Sequence, residues 1–380
     1  MRPVVAVLGA GGFIGNRLVE MLHLGGGHVV RPVVRRPEAL ALALRFALDG
    51  RVAEARDEAA LAAAFAGCSH VVHAVAGPPE VITGSVAPVY RAAAAAGVRR
   101  IVYLSSASVH GQSPAPGTDE TSPLSSRQKL AYNNAKVAAE QRLQQLRQGG
   151  GVEVVRLRPG IVHGPRSYWT GGFADELLAG EAYLVGGGTG ICNSTYVDNL
   201  VHAVRLALDA PRADGEAYIV GDAETVTWAD LCDPIARALG YSREALAVPA
   251  PGEMRRMPAG LDPMTALRRA AALLPPRPRR ALRAARAAWR APATPAAPPG
   301  VPQPLVSQEK ADLHLCAVRL PMDKARRELG YAPIVDFETA CRHALAWLAF
   351  AGYPVRDGAG DRGRDADPSE PLQRKPQHGG

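Results

Sequence analysis

The sequence predicts an α/β protein built on a doubly wound parallel sheet. In the first half of the chain, short Val/Ile-rich runs alternate with alanine-rich segments of helical length. The strands of a parallel sheet are covered by helices on both faces and are therefore almost continuously apolar, as these runs are. A glycine-rich turn follows the first run. Because ligands bind such folds at the carboxyl ends of the strands, the residues after each run are the candidates for function.

Five apolar runs are predicted as strands of this sheet: "VVAVLG" (4–9), "HVVRPVV" (28–34), "HVVHAVA" (70–76), "RIVYLSS" (100–106) and "VEVVRLRP" (152–159). Residues 57–67 and 85–97 lie between them and are rich in alanine, which favours helix. The second half is less regular until residues 307–353, where "DKARRELGYAP" and "ETACRHALAWLAF" predict two helices joined by a turn.

This pattern predicts two domains. A nucleotide-binding domain of Rossmann type is expected over 1–165, with residues 195–222 returning to it. A smaller C-terminal substrate-binding domain is expected from two segments, 166–194 and 223–353. The tail over 356–380 is charged and poor in apolar residues, so we expect it to be disordered.

An Arg/Pro-rich insert at about 255–305 interrupts the second domain. Its first part contains ten arginines and no lysine between 255 and 290, and "APATPAAPPGVPQP" (291–304) is a predicted linker. Three interpretations stay open: basic helices over 256–290 that make peripheral contact with a membrane, a lid over an anionic substrate, and a solvated insertion. Nucleic-acid binding is a poor fit, because Trp289 is the one aromatic residue in the basic stretch and no known motif is present.

Composition narrows the class of protein further. The chain has 380 residues, of which 47% are hydrophobic, and a formal net charge of +8. It has no apolar run of 18 residues, as a membrane span requires, and its N-terminus does not resemble a signal peptide. The cysteines lack C-x-x-C spacing, which argues against a metal site or a disulfide framework and indicates a cytoplasmic protein. They are Cys68, Cys192, Cys232, Cys316 and Cys341.

The glycine turn is the first functional signal. "VAVLGAGGFIGNRLVEML" places Gly9, Gly12 and Gly15 between a strand and a helix. Glycine permits a tight turn and lets a pyrophosphate approach the main-chain N–H groups at the start of the helix. The turn therefore predicts a dinucleotide site.

The end of the second strand indicates which dinucleotide is bound. An acidic residue there would accept from the ribose 2′-hydroxyl of NAD, whereas arginine suits the 2′-phosphate of NADP. The sequence "RPVVRRPE" has Arg35 and Arg36 at this point. We therefore expect NADP(H) to be favoured over NAD(H).

Further motifs follow in a characteristic order, and with them the chain resembles the extended short-chain dehydrogenases/reductases, the NAD-dependent epimerase/dehydratase superfamily. The motifs cover most of residues 4–350. They are "GAGGFIG", "HVVHAVAG" (70–77), "RIVYLSSASVHG" (100–111), "YNNAK" (132–136), "RPGIVHGP" (158–165), "STYVDNLVHAV" (194–204) and "KARRELGYAP" (324–333).

The resemblance implies a catalytic trio. Tyr132 would exchange a proton with the substrate oxygen, and Lys136, one helical turn later, would lower the pKa of that phenol and hydrogen-bond the nicotinamide ribose. Ser106 would hydrogen-bond the substrate oxygen, with Ser105 as the second choice. The family pattern also assigns a further set of residues to the cofactor: Phe13, Ile14, Ala74 and Pro159.

Two departures from the family pattern leave questions open. His110 stands where the family often has tyrosine, and it would either line the substrate pocket or be a structural histidine of the loop. The acid that the family carries near the adenine has no clear counterpart, although Glu54 and Asp57 lie in the aligned stretch.

The resemblance leaves the reaction open between two classes. The acid pair that assists elimination in dehydratases is absent after Ser106. Many nucleotide-sugar enzymes hold the diphosphate with an arginine where this chain has Cys192, although Arg166 could substitute for it. "YVDNLVHA" resembles the 3β-hydroxysteroid dehydrogenase branch.

We therefore expect an oxidoreductase that acts on a hydroxyl or ketone of an apolar, sterol-, isoprenoid- or polyketide-like small molecule. A nucleotide-sugar epimerase with tightly bound NAD and a cofactor-sensing binding protein are the alternatives. Assembly as a homodimer also stays open.

Overall fold

The computed structural model describes residues 2–243, 246, 248–249 and 306–356. The sequence predictions for the basic insert and for the tail after Arg356 fall outside these residues. Eleven strands are present in the described part: β1 (Val4–Leu8), β2 (Val29–Val34), β3 (Arg51–Val52), β4 (His70–His73), β5 (Arg100–Leu104), β6 (Glu153–Pro159), β7 (Ile161–His163), β8 (Ile191–Cys192), β9 (Ser194–Tyr196), β10 (Ala217–Val220) and β11 (Val226–Thr227).

Ten α-helices connect these strands in the same described ranges: α1 (Phe13–Leu24), α2 (Glu58–Phe65), α3 (Pro79–Ala95), α4 (Ala131–Gln148), α5 (Phe173–Ala179), α6 (Val197–Asp209), α7 (Trp228–Ala238), α8 (Gln308–His314), α9 (Asp323–Leu329) and α10 (Phe337–Phe350). All five predicted strands and the helices predicted at 57–67, 85–97 and near 323–350 are present. The sequence prediction missed the short strands from β7 to β9, which are too short to show a period of their own.

The central sheet has the order β10-β6-β5-β4-β1-β2-β3, and all of its neighbouring pairs are parallel. Six of these strands repeat the order 3-2-1-4-5-6 that defines a dinucleotide-binding sheet. β10 adds a seventh strand beside β6 and brings residues 217–220 back to this layer. The predicted doubly wound fold is therefore confirmed.

Helices cover both faces of the sheet, as the apolar strands require. On one face α1 and α6 bury Leu18, Val204 and their neighbours against the sheet. On the other face α2, α3 and α4 bury residues such as Leu61 and Val86. Since both faces are closed, the open edge at the carboxyl ends of β1, β4, β5 and β6 is where a ligand can reach the chain.

A second, smaller group of elements stands over this edge. Strand β7 pairs with β9 in parallel, and β8 pairs with β11 antiparallel. The buried Asp222 ties them to the sheet, because its carboxylate accepts from Ser194 Oγ at 2.7 Å and from the Tyr196 N–H at 2.7 Å. The described helices include no segment that is both long and apolar enough to cross a membrane.

Candidate active site

The glycine turn adopts a shape that side chains would prevent. Gly9 has φ +91°, a region that favours glycine, and a Cβ on it would lie 2.8 Å from the Ala74 carbonyl oxygen. A Cβ on Gly15 would lie 2.2 Å from the Gly9 carbonyl oxygen. These close approaches bring the ends of β1 and β4 together and place the first turn of α1 directly above them.

The start of α1 suits a pyrophosphate. Gly12 is the residue before the helix, and Gly11 and Gly12 are exposed. The N–H groups of a first helical turn, here including Phe13 and Ile14, have no acceptor within the helix. No acidic residue lies in this turn, so the partial positive charge there is not neutralised. The residues present therefore fit a dinucleotide.

The other predicted cofactor residues lie around the same edge of the sheet. Arg35 and Arg36 follow β2 and are both exposed. Pro159 ends β6 and is buried. The acidic stretch after β3 has local roles: Asp57 caps α2 by accepting from the Ala60 N–H at 3.0 Å, and Glu54 pairs with the Arg56 side chain.

Tyr132 lies in the first turn of α4, at the rim of the cleft, and is 37% exposed. Desolvation within the cleft raises its pKa to about 12, a hydrogen bond with Ser106 opposes this rise, and the negative charge of Glu309 adds to it. The net shift of this pKa is therefore upward, and the lowering expected from Lys136 stays a prediction.

Lys136 points beneath the tyrosine and is almost fully buried. Its Nζ donates to the Leu104 carbonyl oxygen at 2.7 Å, at the end of β5, and lies 6.0 Å from the centre of the Tyr132 ring. Burial lowers the pKa of Lys136 to about 8, and the carboxylate of Glu140 opposes that change. The Lys136 ammonium is thus held at the end of β5. With a pKa of about 8, it begins to lose its proton just above neutral pH.

The two neighbouring serines after β5 have different surroundings. Ser106 is half-buried, precedes a short 3₁₀ turn and faces the cavity that Tyr132 also lines. Ser105 is buried, and its Oγ donates to Glu140 Oε1 at 2.5 Å. The geometry favours Ser106 over Ser105 for contact with a substrate, which agrees with the order predicted from the sequence.

Glu140 is the centre of a buried network below the cleft. Arg158 donates to both of its carboxylate oxygens, from Nε at 3.0 Å and from Nη2 at 2.7 Å. The Nη1 of Arg158 contacts His110 Nε2 at 3.1 Å, and burial together with this guanidinium lowers the pKa of His110 to about 4. His110 is therefore a structural histidine of the loop, the second of the two interpretations left open by the sequence.

A cavity of about 700 Å³ opens above Ser106 and Tyr132. The surface that lines it is polar and apolar in about equal parts, and Glu309 is the charged side chain among the described residues that line it. The apolar walls come from several separate segments: Pro78, Pro79, Ile161, Trp169, Ile191, Trp228, Leu313 and Leu320.

The sequence prediction missed these wall residues and Glu309. They lie in no shared motif, and tertiary packing alone brings them together. Arg166, the alternative for holding a diphosphate, does not line this cavity, because it donates to Asn16 Oδ1 at 2.7 Å beside a separate cavity of about 250 Å³. Cys192, which stands where many nucleotide-sugar enzymes have an arginine, is buried and does not line the cavity either.

Comparisons with known proteins agree with this fold. The model of the NAD dependent epimerase/dehydratase family matches residues 5–221. The chain belongs to this family of enzymes, whose members act as dehydrogenases, epimerases and dehydratases. The sequence-based resemblance to the extended short-chain dehydrogenases/reductases is therefore confirmed.

Two curated relatives represent two of these activities. A 3 beta-hydroxysteroid dehydrogenase/Delta 5→4-isomerase of Mycobacterium tuberculosis (strain CDC 1551 / Oshkosh) is 31% identical over 274 residues, which is 65% of this chain and 72% of the relative. A UDP-glucose 4-epimerase of Mycolicibacterium smegmatis (strain ATCC 700084 / mc(2)155) is 31% identical and covers 66% of this chain and 87% of its own.

Solved structures support the fold. The dTDP-glucose 4,6-dehydratase DesIV of Streptomyces venezuelae, solved as a double mutant with NAD bound, has a TM-score of 0.67 at 20% identity, covering 91% of this chain and 96% of its own. The UDP-glucose 4-epimerase of Thermus thermophilus in complex with NAD has a TM-score of 0.61 at 22% identity, covering 91% and 99%. At these identities the likeness concerns the fold alone.

Proposed function

We propose that the protein catalyses reversible hydride transfer between NADP(H) and a secondary alcohol or ketone of an apolar small molecule. The observation that carries this proposal is the cavity above Tyr132 and Ser106. Apolar side chains supply about half of the surface of its wall, and no arginine of the described ranges lines it. A sterol-, isoprenoid- or polyketide-like skeleton matches such walls, because burying apolar surface contributes about 25 cal/mol per Å².

In this mechanism the nicotinamide supplies or accepts the hydride when it is bound. Tyr132 Oη exchanges a proton with the substrate oxygen, and the Ser106 hydroxyl hydrogen-bonds that oxygen as charge develops on it. Lys136, held by the Leu104 carbonyl, keeps a positive charge beneath the phenol. That charge favours the phenolate relative to the same cleft without the lysine.

Preference for NADP(H) over NAD(H) is part of the same proposal. Arg35 and Arg36 are exposed directly after β2, where the 2′-phosphate of NADP would lie. Replacing them together (Arg35→Asp with Arg36→Ala) should weaken NADPH relative to NADH by about tenfold to a hundredfold, because each charged hydrogen bond contributes about 1.5–3 kcal/mol.

The measurement for this pair is a fluorescence titration of both reduced cofactors. Arg142→Ala, which removes an exposed arginine from α4, is the matched control and should leave the ratio unchanged. An unchanged ratio in the double variant would contradict the assignment.

The domain division, with a cofactor domain over 1–165 and 195–222 and a substrate domain over 166–194 and 223–353, is proposed on the same grounds. Peripheral membrane contact through 256–290 and a homodimer remain hypotheses that the described residues do not address.

The epimerase is the second candidate, because relatives at similar identity include UDP-glucose 4-epimerases. Denaturing the purified protein and identifying the released nucleotide separates the two functions. An epimerase oxidises and re-reduces its substrate during a single binding event and tends to retain NAD. A dehydrogenase exchanges its cofactor at each turnover. Stoichiometric NAD would favour the epimerase. An empty protein that binds NADPH more tightly than NADH would support the proposed reductase.

A further inference from the structure

Glu309 is the charged side chain among the described residues that line the cavity. It lies on α8, the first described helix after the basic insert, and faces the same cavity as Tyr132 and Ser106. Its negative charge raises the pKa of Tyr132, so the two side chains are close enough for their charges to interact. The Glu309 side chain is exposed, so solvent screens its charge and its effect is confined to groups close to it in the cavity.

The carboxylate is held in place from the other side of the cleft. Gln112, in the loop after β5, donates from Nε2 to Glu309 Oε1 at 3.1 Å. Lys129, just before α4, pairs with Asp312 on the same helix as Glu309, with Nζ 3.3 Å from Oδ2. Two contacts therefore join α8 to the loops that carry Ser106 and Tyr132.

Other residues of α8 contact elements of the proposed substrate-binding domain. The Trp228 indole N–H donates to the Leu313 carbonyl oxygen at 2.9 Å. Lys310, the neighbour of Glu309 in the chain, turns to the opposite wall and pairs with Glu176, with Nζ 2.5 Å from Oε2. Lys310 is thus already paired with Glu176, and it does not line the cavity that Glu309 faces.

We propose that Glu309 is a specificity-determining residue that admits uncharged substrates and rejects anionic ones. This rests on the proposed function, because it names the charge class of the substrate for that same site. A phosphate, diphosphate or carboxylate placed in the cavity would meet the Glu309 carboxylate in the same cavity as Tyr132, and the two like charges would repel each other. A neutral hydroxyl or amide can donate to Glu309 in the way that Gln112 does.

The test uses two fluorescent probes that share one skeleton, neutral N-phenyl-1-naphthylamine and anionic 8-anilinonaphthalene-1-sulfonate. Their dissociation constants are measured at pH 8 with the full chain. Glu309→Gln should improve the affinity for the sulfonate relative to the amine by about tenfold, since a nearby like charge costs on this order in a partly wet cleft. Glu338→Gln removes one exposed charge from α10, outside the cavity, and should change this ratio less than about twofold.

A second variant works in the opposite direction. Gln112→Glu adds a carboxylate to the cavity lining and should weaken the sulfonate further relative to the amine. The proposal would be overturned if Glu309→Gln leaves the ratio unchanged, if Glu338→Gln changes it equally, or if the neutral probe does not bind the wild type. Neither probe is turned over, so a failure of the proposed hydride-transfer reaction appears in the turnover assays and is distinguishable from a failure here.

Discussion

Two regions meet at the carboxyl end of β5, and they differ in nearly every physical respect. The buried network below consists of Ser105, Glu140 and Arg158, which are joined by charged hydrogen bonds, and the buried Lys136 lies beside it. The cleft above contains Ser106 and Tyr132, which are partly exposed and line a large cavity. Yet each region takes one serine from the end of β5 and further residues from α4.

The difference shows that residues close together in the sequence can lie in different surroundings, one exposed in the cleft and another buried below it. Along α4, Tyr132, Lys136 and Glu140 follow one another at intervals of four and share a helix face. The helix begins at the rim of the cleft and runs over the sheet. Tyr132 is therefore partly exposed, whereas Lys136 and Glu140 are buried. We therefore expect changes in the cleft to affect turnover and changes in the buried network to affect stability.

Tyr132→Phe should give the largest effect on turnover. It removes the proposed proton donor, which typically contributes about 10²–10⁴-fold to the rate, while the half-exposed ring keeps its packing. We expect kcat to fall by this factor and cofactor affinity to stay unchanged, as measured by steady-state kinetics and by cofactor titration. Normal turnover would remove Tyr132 from the mechanism.

Glu140→Gln should give the largest effect on stability. Breaking a buried ion pair leaves an uncompensated charge, here on Arg158, and costs about 3–5 kcal/mol. Urea unfolding measures this change in the free energy of unfolding. Glu58→Gln is the matched control, because its pair with Arg91 is exposed and contributes less than about 1 kcal/mol. Equal losses in the two variants would contradict the distinction between buried network and surface.

Lys136→Met should change how stability depends on pH. In the cofactor-free protein the pKa of Lys136 is about 8 in the folded state and 10.5 ordinarily. Between these values the unfolded chain binds more protons, so the wild type gains stability as the pH rises from 8 to 10.5. The difference between the two pKa values corresponds to at most about 3 kcal/mol.

The variant lacks this titration. The free energy of unfolding of the wild type should therefore rise relative to that of Lys136→Met across this pH window, and chemical denaturation at pH 7, 8, 9 and 10.5 would measure it. Parallel pH curves for the two proteins would show that the ammonium is not buried as described.

The two serines give the smallest effects and the sharpest contrast. Ser106→Ala should lower kcat by about 10²-fold through the loss of a hydrogen bond to the substrate oxygen, with little change in stability. Ser105→Ala should cost about 1–3 kcal/mol of stability, because Glu140 loses a buried donor. Each variant serves as the control for the other. A kinetic loss confined to Ser105→Ala would reverse the assignment.

Much of the cofactor side could be predicted from the sequence, because its residues are local. The glycine turn, the strands and the Ser, Tyr and Lys positions each lie in a short motif. The charges around Tyr132 could not be predicted in this way. The net rise in the pKa of the phenol comes from desolvation and from Glu309, which lies 177 positions further along the chain, and no local motif encodes either cause.

The sequence by itself determined the parallel sheet, the dinucleotide turn and the family, since the period of apolar residues and the spacing of glycines act over a few residues. Only the tertiary structure decided which serine faces the cleft, that His110 supports a loop, and that Trp169, Trp228 and Glu309 share one cavity. Those outcomes depend on contacts between segments far apart in the chain, where packing and desolvation, rather than local pattern, set the position and charge of each side chain.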